Sequence, residues 1–580
     1  MATSLLKAYW AAGLENFSFS KIYHVVFIAG IFLVILNVLN YVVTLRHYHR
    51  AHRLEGHVKG QLPPEYPFLI PSLGPLIQVW WDHGSFVRKL SSYAGRLTSN
   101  RISILGQSYY NFQDRDTIEK LFKQSALSSP IKLFVFATSR MLGMPKETMR
   151  IYEEDDSGPF PQPHPKSNVP HHRRIDYFTH QDLFRGLVGP GLHPTMLRFA
   201  KDVPRRLQDL NITEDWTEMS DFAQFFKDII GGSTLQSIFG PTMFRLNPTF
   251  QRDMFAFDDM FPTFAPGFPR FMMPNAYRFR DRLAGQLKRW YKYARENFDE
   301  SQIDDDGDGD PIWGSAMMRH RQETLLQVDK HGDEALARID LGLSWATIGN
   351  VVLSSMFSAF HIFKDEDLLA RVRHDLEQYL GQDSLRDTDP HQLAKDVPLL
   401  ASVYAETLRL YIKVYSAYSS PHEDVDLGEW VLPKGAIAIL NSEPSHMDPT
   451  FWNTHGGQYP VQSFWADRFL VDPSDPGSGP INPACRTPSP RVEKDEDGKP
   501  YFSLDGCEGT WIPYGGGHSV CPGRFFARNV IIFASAILAH EYDVELYSDS
   551  IEFTKRRYGF GVEEVKNALP FRIRKRARCE

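Results

Sequence analysis

The chain has 580 residues, a formal net charge of −7 and only four cysteines. Its composition, 42% hydrophobic and 23% charged, is ordinary for a folded protein, and the net charge gives no global attraction for nucleic acid. None of the cysteines forms a Cys-x-x-Cys pair, which excludes a disulfide framework and argues against a zinc cluster. The bulk of the chain is therefore expected to face a reducing compartment.

An apolar run near the N-terminus, residues 25–45, predicts a transmembrane anchor. As a helix it would be roughly 30 Å long, about the thickness of a hydrocarbon core. The basic stretch Arg46–Arg53 follows this run. Because basic residues favour the cytosolic side, residues 1–24 are expected in the lumen and the body of the protein in the cytosol. The alternative is a helix buried in the core.

The rest of the chain predicts one mainly α-helical domain with a small β portion. Residues 46–76 are interpreted as a basic flank and proline-rich hinge, because five prolines from Leu62 to Leu76 forbid a continuing helix. Residues 77–580 form the predicted globular domain, in which helical spacing of apolar residues dominates up to about residue 420. A polar stretch at about 472–508 predicts a surface insertion.

Two helical stretches in this domain carry further information. The run from Leu341 to Phe363 is apolar over most of its length and has helical character. In a later run, Glu406 and Arg409 are three residues apart, so they share a helix face and can form a charge-assisted pair. Taken alone, that spacing is common and usually marks a surface pair.

The segment WIPYGGGHSVCPGRFFARN, Trp511–Asn529, is the most informative part of the sequence. Its three consecutive glycines allow the backbone to approach a ligand closely. Cys521 follows them and precedes a predicted buried helix, whose N-terminus would lower the pKa of a thiol. This is the environment of a metal-bound sulfur. For an isolated motif, an inert buried cysteine is the alternative.

This segment resembles the haem-binding loop of the cytochrome P450 family, with the pattern Phe-x-x-Gly-x-x-x-Cys-x-Gly. Tyr514, Gly517, Cys521 and Gly523 occupy the marked positions, with Tyr in place of the usual Phe. The resemblance implies a P450 fold behind the N-terminal anchor. It also implies a haem b cofactor whose iron is ligated by the Cys521 thiolate, which promotes O–O cleavage.

Further segments follow the order of that family. Glu406 and Arg409 match its buried Glu-x-x-Arg pair, and Arg468 matches the arginine that completes it. The resemblance gives these three residues a structural role behind the haem. The segment His446–Trp452 also resembles the His-x-Asp-Pro segment that lies between them.

The resemblance implies a long central helix beside the haem. Its best match here, Leu341–Phe363, departs from the family pattern. Where most P450 monooxygenases carry an acid and a threonine, this chain has Gly349 and Asn350, with Ala346 before them. The segment Trp345–Asn350 instead resembles the corresponding segment of the P450 branch that contains prostacyclin synthase, cholesterol 7α-hydroxylase and sterol 12α-hydroxylase. These three residues are expected to line the distal side of the haem. Asn350 can hydrogen-bond oxygen, water or substrate but cannot shuttle a proton as an acid does. Alternatively, it only satisfies backbone groups in a kinked helix.

The haem propionates are expected to contact histidine and arginine. The usual basic residue two positions before the cysteine is Ser519, but His518 stands next to it. In the family, a helix before the haem pocket often supplies Trp and Arg to a propionate. Its counterpart here is the segment Thr179–Pro194, with His180 and Arg185 as candidate propionate contacts.

The resemblance implies a monooxygenase that oxidises a lipophilic substrate with O₂ and electrons from NADPH-cytochrome P450 reductase. It implies a single-pass protein of the endoplasmic reticulum with a cytosolic catalytic domain, in contact with membrane lipid and without a nucleic-acid partner. Sterols, terpenoids, fatty acids and polyketide-derived products all suit such an enzyme, and the insertion and proline-rich character suggest fungal specialised metabolism. The alternatives are a P450-fold isomerase or dehydratase acting on a peroxide or preformed intermediate, and a haem sensor or scaffold.

Overall fold

The computed structural model describes residues 19–53, 59–71, 73–104, 106–124, 131–381, 383–486 and 498–577. They belong to two compact units, one of residues 1–112 and 426–431 and the other of residues 113–425 and 432–580. The expected lumenal segment lies outside the described residues except for residues 19–24. The centre of the predicted insertion, residues 487–497, also lies outside them.

Up to residue 112, the described residues of the first unit form three helices and four short strands. They are α1 Phe19–Arg53, α2 Gly74–Trp81, α3 His83–Leu90, β1 Ser92–Tyr93, β2 Arg96–Leu97, β3 Asn100–Ile104 and β4 Gln107–Asn111. Strands β1 and β2 form one antiparallel pair, and β3 and β4 form another.

Helix α1 is longer than the predicted anchor, because it continues through the basic flank to Arg53. Its apolar side chains from Val25 onward are largely exposed, and residues Tyr23–Arg53 are long and apolar enough to cross a membrane. Asn37 donates its amide to the Leu33 carbonyl at 2.8 Å, so this polar side chain is satisfied within the helix. Near the end of α1, Tyr48 is buried and packs edge-on against Tyr66 at 5.5 Å.

The second unit is built mainly of helices. They are α4 Arg115–Phe122, α5 Ile131–Phe136, α6 Lys146–Glu154, α7 Ile175–Leu187, α8 Leu192–Asp209, α9 Phe222–Phe226, α10 Gly232–Leu246, α11 Phe250–Met260, α12 Pro274–Asn297, α13 Ala316–Leu325, α14 Asp333–Gly349, α15 Val351–Lys364, α16 Glu366–Leu380, α17 Pro390–Asp396, α18 Pro398–Tyr411, α19 Ser442–His446 and α20 Arg524–Glu541. Single π-helical turns follow α5 and α9, at Ala137–Leu142 and Lys227–Gly231.

The core of this unit centres on α15 and α20, which pack against each other. Both helices are apolar on all sides, as expected for helices surrounded by other elements. Nearly every residue of α15 is buried, and so is α20 from Asn529 to His540. Ser535 and Ser358 satisfy each other across this contact at 2.8 Å. The stretch Asp333–Lys364 also has the length and apolar character of a membrane span, but its burial makes it a core element.

The remaining strands are short. They are β5 Thr217–Met219, β6 Ile412–Tyr418, β7 Val425–Asp426, β8 Val431–Leu432, β9 Ile437–Asn441, β10 Leu470–Val471, β11 Tyr501–Phe502, β12 Tyr542–Leu546, β13 Phe560–Val562 and β14 Phe571–Lys575. Strand β6 pairs antiparallel with β9 on one side and with β13 on the other, with Ile412 opposite Val562. Strand β14 lies between β12 and β5. The prediction of a mainly α-helical fold with a small β portion is confirmed.

The C-terminal flank of the predicted insertion contacts other parts of the second unit. Strand β11 pairs with β10, and Cys507 is buried. Arg115 donates to the carbonyls of Gly506 and Glu508, at 2.9 and 3.2 Å. Residues 501–508 are therefore held to the second unit by backbone contacts.

Candidate active site

A cavity of about 380 Å³ lies inside the second unit, within the ~300–1,000 Å³ range of cofactor and small-molecule sites. One wall comes from the segment around Cys521. A second comes from the junction of α14 and α15, and a third from α18 and β6. Among the predicted site residues, the cavity is lined by Ala346, Asn350, Tyr514, Cys521 and Gly523.

The Cys521 side chain is enclosed by protein, and its exposed surface faces this cavity. The backbone N–H of Cys521 donates to the Tyr514 carbonyl at 3.0 Å, which closes the loop before α20. A Cβ at Gly523 would lie 3.7 Å from the sulfur, so glycine keeps this side of the sulfur open. The geometry presents one sulfur atom to an enclosed, mainly apolar space.

The acidity of Cys521 differs from the sequence-based expectation. Burial raises the pKa of the thiol, and the opposing Gly523 N–H and Arg524 charge do not overcome this effect. Helix α20 begins only at Arg524, so the cysteine precedes its first turn. The helix terminus therefore does not offset the effect of burial at this position.

The three glycines before Cys521 are required mainly by packing against the protein. Gly515 and Gly517 have φ values of +67° and +61°, which favour glycine. A Cβ on Gly516 would overlap the Phe122 ring, and one on Gly517 would lie 2.9 Å from the Phe122 carbonyl oxygen. Of the three, only Gly515 lines the cavity. Gly517 therefore shapes the loop without contacting the cavity.

Tyr514 is partly buried beside the cavity and receives a hydrogen bond from the Tyr404 hydroxyl at 3.0 Å. Burial and the neighbouring Tyr404 raise the pKa of Tyr514 far above its ordinary value, so the phenol is neutral. This hydrogen bond gives the tyrosine a partner on α18 that the usual phenylalanine would lack.

Glu406, Arg409 and Arg468 form a fully buried ion cluster, as predicted. Glu406 accepts from Arg409 at 2.7 and 2.8 Å and from Arg468 at 3.0 and 3.1 Å. Arg409 also donates to the carbonyls of His446 and Val461. Burial by itself would raise the pKa of Glu406, but the two guanidinium groups outweigh it and lower the pKa.

His446 ties this cluster to the cysteine segment, a contact that sequence reasoning missed. Its Nε2 accepts the backbone N–H of Ile512 at 3.1 Å. Burial, with a smaller effect of Arg409, lowers the pKa of His446 to about 3. The imidazole is therefore neutral and can act as the acceptor that this contact needs.

Asn350 stands at a break between α14 and α15. Its Oδ1 accepts the backbone N–H of Val562 in β13 at 3.0 Å, so this oxygen does satisfy a backbone group. Asn350 also lines the cavity, whereas Gly349 is not among the lining residues. The Gly349 carbonyl accepts from Arg557 at 3.1 Å. Gly349 therefore belongs to the buried side of the break.

A second cavity of about 220 Å³ shares Leu183 and Pro522 with the first. His180 and His518 both line it, although they are far apart in sequence. The buried Nε2 of His518 has no hydrogen-bond partner among the described residues. Burial is the main cause of a lowered pKa in both histidines. Arg185 is exposed and lines neither cavity.

Arg174 supports His518 of this second cavity indirectly, through Phe160, and sequence reasoning did not single it out. Its guanidinium is almost fully buried and donates to the carbonyls of Phe160 and Pro161. Phe160 in turn packs edge-on against His518 at 4.6 Å. Nothing in the local sequence distinguishes this arginine from its neighbours in a polar loop.

Comparison with known proteins agrees with this geometry. A cytochrome P450 family model matches residues 242–571. The chain is 30% identical over 525 residues to cytochrome P450 monooxygenase efuG of Hormonema carpetanum, covering 88% of this chain and 90% of that protein. The chain belongs to the cytochrome P450 family.

Other relatives agree with this assignment. Identity to cytochrome P450 monooxygenase fsoE of Humicola fuscoatra is 30% over 540 residues, which is 89% of this chain and 88% of that protein. Identity to human prostacyclin synthase is 29% over 283 residues, covering 45% and 50%. The P450 is thus a monooxygenase-type oxidoreductase with fungal and mammalian relatives.

The residues of this P450 fit the cofactor of its family, a haem with a thiolate-ligated iron. The first cavity presents one enclosed cysteine sulfur. The second offers an unpartnered, buried histidine nitrogen beside another histidine, which suits an anionic group such as a propionate. Asp155 and Asp176 also line the second cavity. Asp155 accepts the backbone N–H groups of Ser157 and Asp176, so its charge is already satisfied.

Proposed function

We propose that this P450 is a membrane-tethered monooxygenase that oxidises a lipophilic substrate with O₂ and NADPH-derived electrons. The observation that carries the proposal is the first cavity, in which the Cys521 sulfur and the Asn350 amide line one mainly apolar space. A mainly apolar space of this kind suits an apolar ligand beside the sulfur.

In this proposal, Cys521 holds the iron, and His518 and His180 hold the propionates. Tyr514 and Gly523 shape the cavity beside the sulfur. When bound, the haem supplies electron transfer and O₂ activation. The residues around it bind and orient the substrate and exclude water. Asn350 contributes a hydrogen-bond donor on the distal side, next to Ala346.

The lining of the first cavity supports an apolar substrate. Among the described residues that line it, none is Asp, Glu, His, Lys or Arg. Leu183, Ile412 and Val414 contribute apolar surface instead, and burying apolar substrate surface there is favourable by roughly 25 cal/mol per Å². We therefore propose a sterol, terpenoid, fatty acid or polyketide-derived product as the substrate class, in keeping with fungal specialised metabolism.

The same lining supports a second candidate function. A positioned acid side chain is a common route of proton delivery to reacting atoms, and the described cavity lining has no carboxylic acid. An isomerase or dehydratase that rearranges a peroxide or preformed intermediate does not need external electrons. One relative in the comparison, prostacyclin synthase, bears the name of a synthase rather than a monooxygenase.

Isotopically labelled O₂ distinguishes the two functions. In membranes that contain the full chain, NADPH and reductase, a monooxygenase transfers one labelled oxygen atom to the product. The label is expected in the product, as measured by mass spectrometry, and no product should form without reductase. Product that forms without NADPH and carries no label would instead support the isomerase.

Helix α1 supports attachment to the endoplasmic reticulum, with the catalytic domain in the cytosol next to a membrane-bound NADPH-cytochrome P450 reductase. A large exposed apolar surface of this kind is unfavourable in water and marks a site of interaction with membrane or protein. About 20 apolar residues are enough to span a bilayer. In the second unit, Arg524 and Arg528 lie at the start of α20 and are partly exposed. Their positive charge could attract an acidic reductase surface.

Removal of residues 1–45 tests the anchor. The truncated protein is expected to lose resistance to extraction from membranes by alkaline carbonate, because the longest exposed apolar stretch is gone. Fractionation followed by immunoblotting measures the change. A chain in which only residues 1–18 are removed is the control and should remain in the membrane. Full retention of the longer truncation in carbonate-washed membranes would contradict the anchor.

A further inference from the structure

The break at Asn350 is held by one segment near the C-terminus. Arg557 donates to the Gly349 carbonyl, on the buried side of the break. Five residues later, the Val562 N–H donates to Asn350 Oδ1. A helix break leaves backbone groups without their usual partners. Here the segment 557–562 supplies one donor to the backbone and one to the side chain at the break.

Arg557 is itself fixed by Asp258, which also contacts Trp345. These three residues are termed here the Arg557 cluster. Asp258 accepts from the Arg557 guanidinium at 2.7 Å, and the two side chains are 5% and 3% exposed. The other carboxylate oxygen accepts the Trp345 indole N–H at 2.7 Å. The indole stacks on Phe261 with ring centres 3.8 Å apart. The Arg557 guanidinium is therefore held between the Asp258 carboxylate and the Gly349 carbonyl, and Asp258 is held in turn by Trp345.

A buried ion pair is a poor source of stability, because desolvation offsets most of the attraction between its charges. Burial raises the pKa of Asp258, while Arg557 and the indole N–H oppose that effect. The pair is better suited to hold a specific geometry. Because Trp345 lies on α14 and Asp258 on α11, the cluster joins both helices to the segment that contacts Asn350.

The contact with β13 also determines which end of the Asn350 amide is free. The Val562 N–H can only donate, so the atom facing it is the amide oxygen. The NH₂ group is left as the donor of a side chain that lines the cavity. Gly561 has a φ of +135°, and a Cβ there would overlap Asn350 Oδ1. Glycine therefore lets the strand pass closely enough to make this hydrogen bond.

We propose that the Arg557 cluster and Gly561 position the Asn350 amide as a fixed hydrogen-bond donor to an oxygen atom in the cavity. Arg557, Asp258 and Gly561 are then positioning residues, since they act through Asn350. The inference rests on the proposed function, in which Asn350 lies on the distal side of the haem. It adds that a strand and a buried ion pair, both outside the central helix, set the orientation of that donor.

Carbon monoxide bound to the reduced, full-length holoenzyme in membranes is a suitable probe. A hydrogen bond to its oxygen lowers the C–O stretching frequency, which infrared spectroscopy measures without a known substrate. Asn350→Leu removes the donor and is expected to raise this frequency. Gly561→Ala and the double substitution Asp258→Asn with Arg557→Gln are expected to raise it as well. The double variant replaces a charged pair with a neutral one, which avoids an uncompensated buried charge.

Gly285→Ala is the matched control, because a Cβ at Gly285 meets no atom within 4 Å. Its frequency should equal that of the wild type. The reduced-CO band of a thiolate haem shows in each variant that the site has folded. An upward shift in Asn350→Leu, Gly561→Ala and the double variant supports the inference.

Two results would overturn the inference while leaving the monooxygenase proposal standing. The first is a normal frequency in Gly561→Ala and in the double variant beside a shifted Asn350→Leu. The second is a normal frequency in Asn350→Leu itself, because the amide would then not face the ligand. A wild-type chain that binds haem without the thiolate band would instead overturn the proposed function.

Discussion

Replacing Cys521 with alanine is expected to abolish the absorption band that reduced thiolate haem gives with carbon monoxide. Cys521 supplies the one sulfur that lines the first cavity among the described residues, and a methyl group cannot ligate iron. Product formation should be lost completely for the same reason. The measurement is a reduced-CO difference spectrum of membranes that contain equal amounts of variant and wild-type protein.

Cys485→Ala is the matched control for this prediction. Cys485 is exposed and contacts the Thr450 carbonyl rather than the cavity. Its removal should leave the spectrum and the product unchanged. If the thiolate band survived in Cys521→Ala, the assignment of the iron ligand would be wrong.

Glu406→Gln is expected to destabilise the P450 by about 3–5 kcal/mol, the usual cost of breaking a buried ion pair. The carboxylate is fully buried between Arg409 and Arg468. An amide would leave both guanidinium charges without an anion, and one of its hydrogen-bond acceptors would become a donor. Because Arg409 and His446 also hold the cysteine segment, haem retention should fall together with stability.

The measurement is denaturant unfolding of the holoenzyme, together with haem content after purification. Glu552→Gln is the matched control, because Glu552 forms an exposed ion pair with Lys566. That substitution should not change stability measurably. Equal stability of Glu406→Gln and the wild type would show that the cluster does not maintain the fold.

Some features could be predicted because the residues that form them are adjacent or regularly spaced. Asn350 was expected on the distal side from its place in the central helix, and it does line the cavity. The other predicted distal residues differ in outcome, because Ala346 lines the cavity and Gly349 does not. Successive helical residues point about 100° apart, so neighbours in sequence reach different surroundings.

Arg185 was a candidate propionate contact, yet its side chain is exposed.

The sequence alone was sufficient for the anchor-like helix, the Cys521 loop and the Glu406–Arg409 pair, because each depends on local composition or spacing. It was sufficient for the family, the cofactor and the mainly α-helical fold class. Only the tertiary structure decided how Asn350 is oriented, because its partner Val562 lies 212 positions away. It also brought His180 and His518 to one cavity, and it showed that burial raises the pKa of Cys521. Such long-range contacts and burial leave no periodic pattern in a sequence, since they arise only when distant segments pack together.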